Sequence, residues 1–382
     1  MRICIVGPYP PFRGGIAQFN YYLAKQLQLR GHHTIIINFK KQYPKLLFPG
    51  EKQLTNDAET SDDIESYRVL TPYDPFSFRQ SFEKIKRNRP DIVIFAYWIP
   101  FMAPAYTWIA KRLKKKSITT AALLHNIQFH EKWPAGNYLS HSFLKQIDLI
   151  ITLSDTVKRD VSCLISGKQM INAFHPLYKS FDNKRYDALS AKKELGLEKK
   201  EVLLFFGFIK PYKGLDILIE AFAKLSKEIE NLHLLIVGEV YGSDRSYDEM
   251  ITRYGLEDKC TFVKEFVPDN QIEKYFKAAK ILVLPYRHAT QSGVLQIAYS
   301  MKLGVVVTPV GSLPDMVDKG KTGMVAADTT PESLSEAIKS CLEIADDVIK
   351  KKIENKNKQY GWDSFVELLE VGIKKTALQL TK

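Results

Sequence analysis

The stretch from Glu201 to Phe222 constrains the fold most, because its hydrophobic pattern changes from strand to helix within a few residues. Residues Val202 to Phe206 form an apolar run with the length and residue types of a buried strand, and apolar residues then recur at helical spacing. Gly207, Lys210 and Lys213 lie between these two patterns. The sequence therefore places two ammonium groups just before a helix N-terminus, where free N–H groups and the helix dipole favour an anion. An ordinary loop with solvated lysines is the alternative for such a motif taken alone.

Short apolar runs alternate with helical patterns along the chain, in two series of similar size. The pattern lapses over a polar segment from about residue 180 to residue 200, and 382 residues exceed the usual size of one domain. We therefore predict an α/β protein with two doubly wound, Rossmann-like domains, residues 1–180 and 181–360, facing each other across a cleft. Residues 361–382 are predicted to form a closing helix. The apolar runs predict strands at residues 2–6, 33–39, 91–98, 117–124, 148–153, 202–206, 233–237, 260–263, 281–284, 305–307 and 322–325.

Composition excludes several classes of protein. Hydrophobic residues make up 45% of the chain, but no stretch of about 18 apolar residues could span a bilayer. The sequence enters a strand directly after Met1, without a charged and then apolar leader, so we expect a cytoplasmic protein. The four cysteines are widely scattered and lack metal-ligand spacing. We therefore expect buried thiols and no zinc site.

The net charge of +12 is concentrated in the first half of the chain. Residues 1–178 contain 24 Lys and Arg against 13 Asp and Glu, whereas the remaining residues contain 31 against 30. Such an asymmetry indicates that one half faces an anionic partner, either a nucleic acid or a membrane surface. No nucleic-acid-binding motif supports the first of these.

The segment from Tyr97 to Lys116 combines aromatic and apolar residues with a basic cluster. This combination favours peripheral contact with an anionic membrane. A core helix that ends in solvated lysines is the alternative, because lysines also suit a helix C-terminus. The aromatic and apolar residues are Trp98, Phe101, Met102, Tyr106, Trp108 and Ile109, and the basic ones are Lys111, Arg112, Lys114, Lys115 and Lys116.

A glycine pair, Gly14 and Gly15, follows the first predicted strand and precedes a helix pattern that begins at Ile16. Glycines at a helix start let a ligand approach backbone N–H groups closely. A tight turn that needs positive φ explains the pair equally well.

Four polar residues follow the predicted strand at 117–124: His125, Asn126, His130 and Glu131. Ligands of open parallel sheets gather at the carboxyl ends of strands, so these side chains are candidates for substrate contact. A structural role for the histidines is the alternative. In the next loop, Ser154 and Asp155 are predicted to cap a helix.

The stretch from Tyr286 to Thr308 is the second stretch that we predict to contribute to a ligand site. A polar loop follows a predicted strand, and an apolar helix begins at Val294. The backbone N–H groups of residues 292–295 would point out of this helix start, and together with Lys210 and Lys213 they would form a diphosphate site. A capped helix in the core is the alternative.

Taken together, these motifs resemble family 4 of the retaining glycosyltransferases over nearly the full chain. The resemblance rests on the order and spacing of GPYPPFRGGIAQF, LLHNIQFHE, FFGFIKPYKGLDILIEAF, LLIVGE, QSGVLQIAY and TPVGSLPDMV. It implies the GT-B architecture and sugar transfer from a nucleoside-diphosphate-sugar without a metal. The C-terminal segment would cross back to the first domain, and Lys213 matches the lysine of the family pattern GRxxxxKG, which neutralises the donor diphosphate.

The resemblance also implies site residues. We expect His125, Lys210 and Lys213 to act in catalysis, with His125 contacting the transferred sugar. Asn126, His130 and Glu131 are expected to bind the acceptor. The residues expected to bind the donor are Gly14, Gly15, Gly207, Glu239, Arg287, Gln291, Ser292, Gly293, Val294, Leu295 and Gln296.

The sequence departs from the family pattern at two places. Phe208 occupies the position of the pattern's arginine, and Lys210 would substitute with a single-point charge. No register around Gly293 supplies the two glutamates that typical members carry eight positions apart. The expected function is retaining transfer of a sugar to a saccharide or lipid-linked acceptor for a surface polysaccharide. A nucleotide-sugar epimerase or another GT-B enzyme, and a non-catalytic nucleotide-binding subunit, are the alternatives.

Overall fold

The computed structural model describes residues 1–44, 54, 64–127, 135–177, 181–241, 245–289 and 292–380. The chain divides into two compact units. The first comprises Met1–His175 together with Trp362–Lys382, and the second comprises Pro176–Gly361. The sequence had placed this boundary after residue 180.

The first unit contains a parallel sheet of seven strands in the order β3-β2-β1-β4-β5-β6-β7. Its central strands are buried on both faces, and every residue of β4 is buried. This burial explains why these strands are continuous apolar runs in the sequence. The strands are β1 (Arg2–Val6), β2 (His33–Phe39), β3 (Glu65–Leu70), β4 (Ile92–Tyr97), β5 (Thr119–Leu124), β6 (Leu149–Thr152) and β7 (Gln169–Asn172).

Helices connect these strands, and side-chain caps begin two of them. The Asp74 carboxylate accepts a hydrogen bond from Phe76 N, and Ser154 Oγ accepts one from Val157 N. The prediction of a cap at Ser154 is therefore confirmed, whereas Asp155 is the first residue inside the helix. The helices are α1 (Gly15–Leu29), α2 (Pro75–Asn88), α3 (Ala103–Lys114), α4 (Gly136–Leu144), α5 (Asp155–Leu164) and, at the chain end, α14 (Trp362–Leu380).

The second unit contains a parallel sheet of six strands in the order β10-β9-β8-β11-β12-β13. Its strands are β8 (Glu201–Phe206), β9 (Leu232–Val237), β10 (Cys260–Val263), β11 (Ile281–Leu284), β12 (Gly304–Val307) and β13 (Gly323–Val325). Its helices are α6 (Ala188–Glu194), α7 (Leu215–Glu228), α8 (Arg245–Arg253), α9 (Ile272–Ala278), α10 (Gly293–Ser300), α11 (Leu313–Met316), α12 (Pro331–Leu342) and α13 (Asp346–Gln359).

Both sheets reverse their strand order once, between β1 and β4 and between β8 and β11. Connections leave the sheet in opposite directions at such a switch point and open a crevice at the carboxyl ends of the two strands. The predicted α/β class with two Rossmann-like units is confirmed. It also follows that each unit has one crevice in which a ligand can approach backbone groups.

Two strands were not predicted, and both lie at edges of the first sheet. No strand was predicted at the positions of β3 or β7. Only Leu70 of the six residues of β3 is buried, and no residue of β7 is fully buried. An edge strand is covered less than a central one, so its sequence keeps polar residues and lacks a continuous apolar run.

The segment from Tyr97 to Lys116 is mainly part of the core. Met102, Tyr106 and Ile109 have no exposed surface and pack in the core of the first unit. The alternative of a core helix ending in lysines is therefore correct for these residues. Lys114, Lys115 and Lys116 remain exposed at the end of α3. Within the described part of the chain, no helix is both long and apolar enough to cross a bilayer.

Candidate functional site

The switch point of the second unit brings the turn after β8 next to the start of α10. A Cβ atom built on Gly207 would lie 3.3 Å from Lys213 Nζ and 3.4 Å from Val294 Cγ2. The Lys213 ammonium therefore lies over the end of β8, beside the first turn of α10. Three of the predicted site residues, from two separate motifs, meet here.

Close approach of backbone to backbone explains why the turn needs glycine at Gly214. This residue has a φ of 68° and ends a 3₁₀ turn over Pro211–Lys213. A Cβ atom on Gly214 would lie 2.0 Å from the carbonyl oxygen of Pro285, so no other residue fits without a shift of the backbone. The turn that carries Lys213 is thus pressed directly against the segment after β11.

Lys213 has no carboxylate partner among the residues that the structure describes. Its ammonium lies 5.1 Å from the centroid of the Tyr286 ring. The side chain is half-buried, and burial lowers the pKa of the ammonium. An anion bound here would compensate this desolvation, so the position favours a negatively charged ligand.

The N-terminus of α10 adds unpaired backbone donors. Ser292 occupies the N-cap position but makes no side-chain hydrogen bond to the helix, and the first turn contains no acidic residue. Its Oγ lies 3.4 Å from Tyr286 Oη instead. The side chain of Leu295 is in the core, and that of Gln296 is 2% exposed with no hydrogen bond to Oε1 within the described structure. The first-turn N–H groups are therefore available to an anion.

The predicted residues on the β9 side lie at the carboxyl edge of the same sheet. Glu239 follows β9, and its carbonyl oxygen accepts a hydrogen bond from Ile209 N at 2.9 Å. The Lys210 ammonium lies 5.2 Å from the ring of Tyr241. Phe208, at the position where the family pattern has arginine, stacks on Tyr241 with ring centroids 4.9 Å apart. At the position where the family pattern has an arginine, this protein thus has an aromatic pair, Phe208 and Tyr241, and the nearby cation is Lys210.

Arg287 is predicted to bind the donor, but in this structure its side chain hydrogen-bonds to other residues of the protein. Its guanidinium forms a two-pronged pair with Asp216, with Nη1 2.7 Å from Oδ1, and Nη1 also donates to the carbonyl of Pro211 at 3.0 Å. Its backbone N–H donates to the carbonyl of Tyr212 at 2.8 Å. Gln291, a further predicted donor ligand, lies outside the described residues.

The first unit presents a different kind of site at its own switch point. Gly14 has a φ of 110°, and a Cβ atom on either Gly14 or Gly15 would meet no heavy atom within 4 Å. The N-cap residue, Gly14, has no side chain that could cap α1, and the first turn of the helix has no acidic residue. The two glycines therefore leave room for a ligand at this helix start.

His125 lies at the same edge, after β5, and is almost fully buried. Its ring makes an edge contact with Phe19 of α1, with ring centroids 4.8 Å apart, and Phe19 also contacts His175 and Trp362. Burial, and then the charge of His175, lower the pKa of His125 to about 3, so the imidazole is neutral near pH 7. Asn126 follows with a buried Oδ1 that has no hydrogen bond within the described structure. His130 and Glu131 lie outside the described residues.

Reasoning from the sequence missed two residues of the site in the second unit, Asp216 and Tyr286. Asp216 lies in the first turn of α7, where an acidic residue favours the helix dipole, so its sequence signal pointed to helix stability. Tyr286 follows the end of β11 and was given no role in the sequence analysis. Neither residue carries a motif that would reveal its contact with Arg287 or Lys213.

Comparisons with known proteins agree with this geometry. The sequence matches the family descriptions "Glycosyltransferase Family 4" over residues 13–165 and "Glycosyl transferases group 1" over residues 187–359. It is 26% identical over 337 residues to N-acetyl-alpha-D-glucosaminyl L-malate synthase of Bacillus anthracis, covering 84% of this chain and 83% of the relative.

Solved structures share the whole fold. Sucrose-phosphate synthase from Thermosynechococcus elongatus superposes with a TM-score of 0.76 at 17% identity, covering 100% of both chains. Anabaena HepE in complex with UDP-glucose gives a TM-score of 0.74 at 16% identity, covering 100% of this chain and 99% of that one. The fold is thus the GT-B architecture, and the protein is a glycosyltransferase. The two matched families together span most of the chain, which belongs to glycosyltransferase family 4.

Proposed function

We propose that this protein is a retaining glycosyltransferase that transfers a sugar from a nucleoside-diphosphate-sugar to a lipid-linked saccharide in surface polysaccharide synthesis. The observation that carries the proposal is the half-buried ammonium of Lys213, which has no ion-pair partner among the described residues and lies beside the uncapped start of α10. A diphosphate supplies the negative charge that this position lacks.

The site suits the chemistry of the leaving group. When the bond between the sugar C1 and the donor phosphate breaks, negative charge grows on the departing diphosphate. A fixed ammonium and a helix N-terminus stabilise that charge without reorganisation and without a metal. The acceptor oxygen bonds to C1 on the same face, and its proton passes to the oxygen of the leaving phosphate, so no protein base is required.

His125 has a supporting role in this proposal. Because burial lowers the pKa of His125 to about 3, its imidazole is neutral at physiological pH. A neutral ring holds a sugar hydroxyl by a hydrogen bond, whereas it is a poor proton donor. The backbone groups of Gly14 and Gly15 are proposed to bind the donor, and Asn126 to bind the acceptor together with His130 and Glu131.

The similar structure of HepE, solved with UDP-glucose, supports a donor of the nucleoside-diphosphate-sugar class. The base and the sugar are left to experiment, because the two glutamates that family 4 usually carries near Gly293 are missing. A thermal-shift screen of the purified protein against UDP, GDP, ADP and TDP and their common sugars, with release of free nucleotide assayed in parallel, tests the proposal.

We expect stabilisation by one nucleotide family, with nucleotide released faster when an acceptor is added. The anomeric configuration of the product, read by NMR, tests retention, and an unchanged rate in excess chelator tests independence from metal. Stabilisation without any release would favour a non-catalytic binding subunit. Conversion of the nucleotide-sugar into its epimer would favour an epimerase, and no stabilisation at all would overturn the proposed diphosphate site.

We further propose that the face formed by α2, α3 and α4 contacts an anionic membrane, where a lipid-linked acceptor would be found. Residues 92–130 contain five Lys or Arg and no Asp or Glu. Phe76 on α2 and Tyr138 on α4 are 82% and 73% exposed, on the helices that pack on either side of α3. Burial and the charge of Lys114 lower the pKa of the Lys168 ammonium. Cations that repel one another at the end of α3 suit a surface of anionic headgroups.

The chain offers a matched control for this proposal. Replacing Lys114, Lys115 and Lys116 by glutamine should weaken binding to vesicles that contain phosphatidylglycerol, and the loss should shrink as salt is raised. The same replacement of Lys350, Lys351 and Lys352, also three exposed lysines in a row but in the second unit, should leave binding unchanged. Equal binding by the two variants would contradict a membrane face on the first unit.

A further inference from the structure

The hydrogen bonds within the turn that carries Lys213 do not determine where the turn lies relative to α10. The turn is closed by two backbone hydrogen bonds, from Lys213 N to Lys210 O at 2.9 Å and from Gly214 N to Pro211 O at 3.2 Å. These bonds set the shape of the turn but not its distance from α10. Something outside the turn must hold it against the second half of the anion site.

The contacts of Arg287 provide this link. Its guanidinium and backbone N–H donate to three residues that flank Lys213, namely Pro211 and Tyr212 before it and Asp216 after it. Arg287 therefore joins both sides of the lysine to the segment that follows β11. Two of these partners, Asp216 and Pro211, are 71 and 76 residues away from Arg287 in the sequence.

The neighbouring residue extends the same link to α10. The ring of Tyr286 lies 5.1 Å from Lys213 Nζ, and its hydroxyl lies 3.4 Å from Ser292 Oγ at the start of α10. Thr308 Oγ1 donates to the carbonyl of Tyr286 and fixes it to β12. Tyr286 thus links the lysine to the helix N-terminus, and Arg287, next to it in the chain, holds the residues that flank the lysine.

Arg287 also holds the carboxylate that follows the turn. Its guanidinium engages both carboxylate oxygens of Asp216, in the first turn of α7, and this bond and the charge of Asp216 raise the pKa of Arg287. The pair thereby ties the start of α7, which directly follows the Lys213 turn, to the segment after β11.

We propose that Arg287 is a positioning residue of the anion site: it holds the Lys213 turn at its distance from α10 and pairs with Asp216 at the start of α7. The inference rests on the proposed function, since it assumes that the ligand is the donor diphosphate. It assigns Arg287 a role through Lys213 and Asp216, in place of direct contact with the donor.

The pair itself contributes little to global stability, because the side chains of Arg287 and Asp216 are 39% and 35% exposed. Removing the guanidinium should therefore leave the fold intact, with a Tm within about 2 °C of the wild type. This expectation separates positioning of the site from a merely structural role.

The test compares Arg287→Ala, Asp216→Asn and the double variant, with Arg253→Ala as a control for an exposed arginine of the same unit. The readouts are the Kd of the nucleoside diphosphate that binds the wild type, kcat and KM for its sugar, and Tm. We expect Arg287→Ala to weaken nucleotide binding about 10-fold or more, since the Lys213 turn then loses its link to the segment after β11. The double variant should bind about as weakly as Arg287→Ala, because both lose the same link. Arg287→Lys should recover only part of the affinity, because lysine lacks the two-pronged geometry.

Three results would overturn the inference. Unchanged binding by Arg287→Ala would show that the turn needs no such link. Weak binding by Arg287→Ala together with wild-type binding by Asp216→Asn would indicate direct contact between Arg287 and the donor. A fall in Tm that parallels the loss of binding would indicate a structural role. If the wild type binds none of the nucleotides, the proposed function fails as well, and this outcome is visible before any variant is compared.

Discussion

The two Rossmann-like units use the same strand order around their switch points to present opposite chemistry. In the second unit, a half-buried lysine lies beside the uncapped start of α10. In the first unit, the start of α1 is equally uncapped, but the buried group at the same edge is His125, whose pKa is lowered to about 3. The buried titratable group at the site is thus a cation in one unit and a neutral ring in the other. The difference shows that topology provides the crevice, whereas the charge of one or two side chains decides its ligand.

The largest expected effect comes from removing the charge that distinguishes the second unit. Lys213→Ala should lower kcat/KM for the donor by about 100-fold, about 3 kcal/mol, the usual scale for losing a preorganised contact to transition-state charge. Steady-state kinetics with the donor identified by the nucleotide screen measure this loss. Lys199→Ala, an exposed lysine of the same unit, is the control and should have wild-type kinetics. Similar kinetics for the two variants would remove Lys213 from the site.

The next prediction concerns how closely the Lys213 turn packs against the segment after β11. Gly214→Ala should destabilise the second unit by about 2 to 3 kcal/mol, because the added methyl would meet the Pro285 carbonyl at 2.0 Å and the backbone is left-handed at a φ of 68°. Calorimetry should show a lower Tm for this unit and weaker nucleotide binding. A stable variant with full affinity would mean that the turn can move away from Pro285 freely.

A smaller effect tests the neutral histidine of the first unit. Its folded-state pKa is below the ordinary value of 6.5, so the unfolded chain takes up the proton first as the pH falls. Stability is therefore full above pH 6.5 and is lost towards pH 3, by about 1.4 kcal/mol per pH unit. His125→Gln should flatten this acid dependence, as followed by the Tm of the first unit between pH 7 and pH 5. His33→Gln, at an exposed position, should not; a wild-type slope in His125→Gln would contradict the buried neutral imidazole.

The smallest effects come from the glycine pair of the first unit. Gly14→Ala should cost about 1 kcal/mol, because only the backbone at a φ of 110° is strained while the space around it is open. Gly15→Ala should cost less than about 0.5 kcal/mol, since a Cβ atom there meets nothing within 4 Å. Urea unfolding of both variants measures the difference. A loss at Gly15 as large as that at Gly214 would show that the two turns are built alike.

Much of the fold followed from local patterns in the sequence. β1, β2, β10 and β11 have the bounds that were predicted, and the central strands were found because burial on both faces requires continuous apolar runs. The edge strands β3 and β7 escaped prediction, since their half-covered faces retain polar residues. The aromatic residues of α3 were interpreted through their charged neighbours, yet Tyr106 and Ile109 are core residues. Composition along a segment does not reveal which face of its helix is covered.

The sequence by itself determined the alternation of strands and helices, the two units, the family, and the turn with Lys213 at a helix N-terminus. These properties depend on residues close together in the chain, where the hydrophobic period and glycine positions act directly. Only the tertiary structure decided that no carboxylate of the described residues pairs with Lys213, that Arg287 is engaged by Asp216, and that His125 is neutral. Desolvation and ion pairing depend on which distant residues meet, and Arg287 and Asp216 are 71 residues apart. Local sequence can therefore name the charged groups of a site, but their partners, and hence the charge left for a ligand, are set by packing.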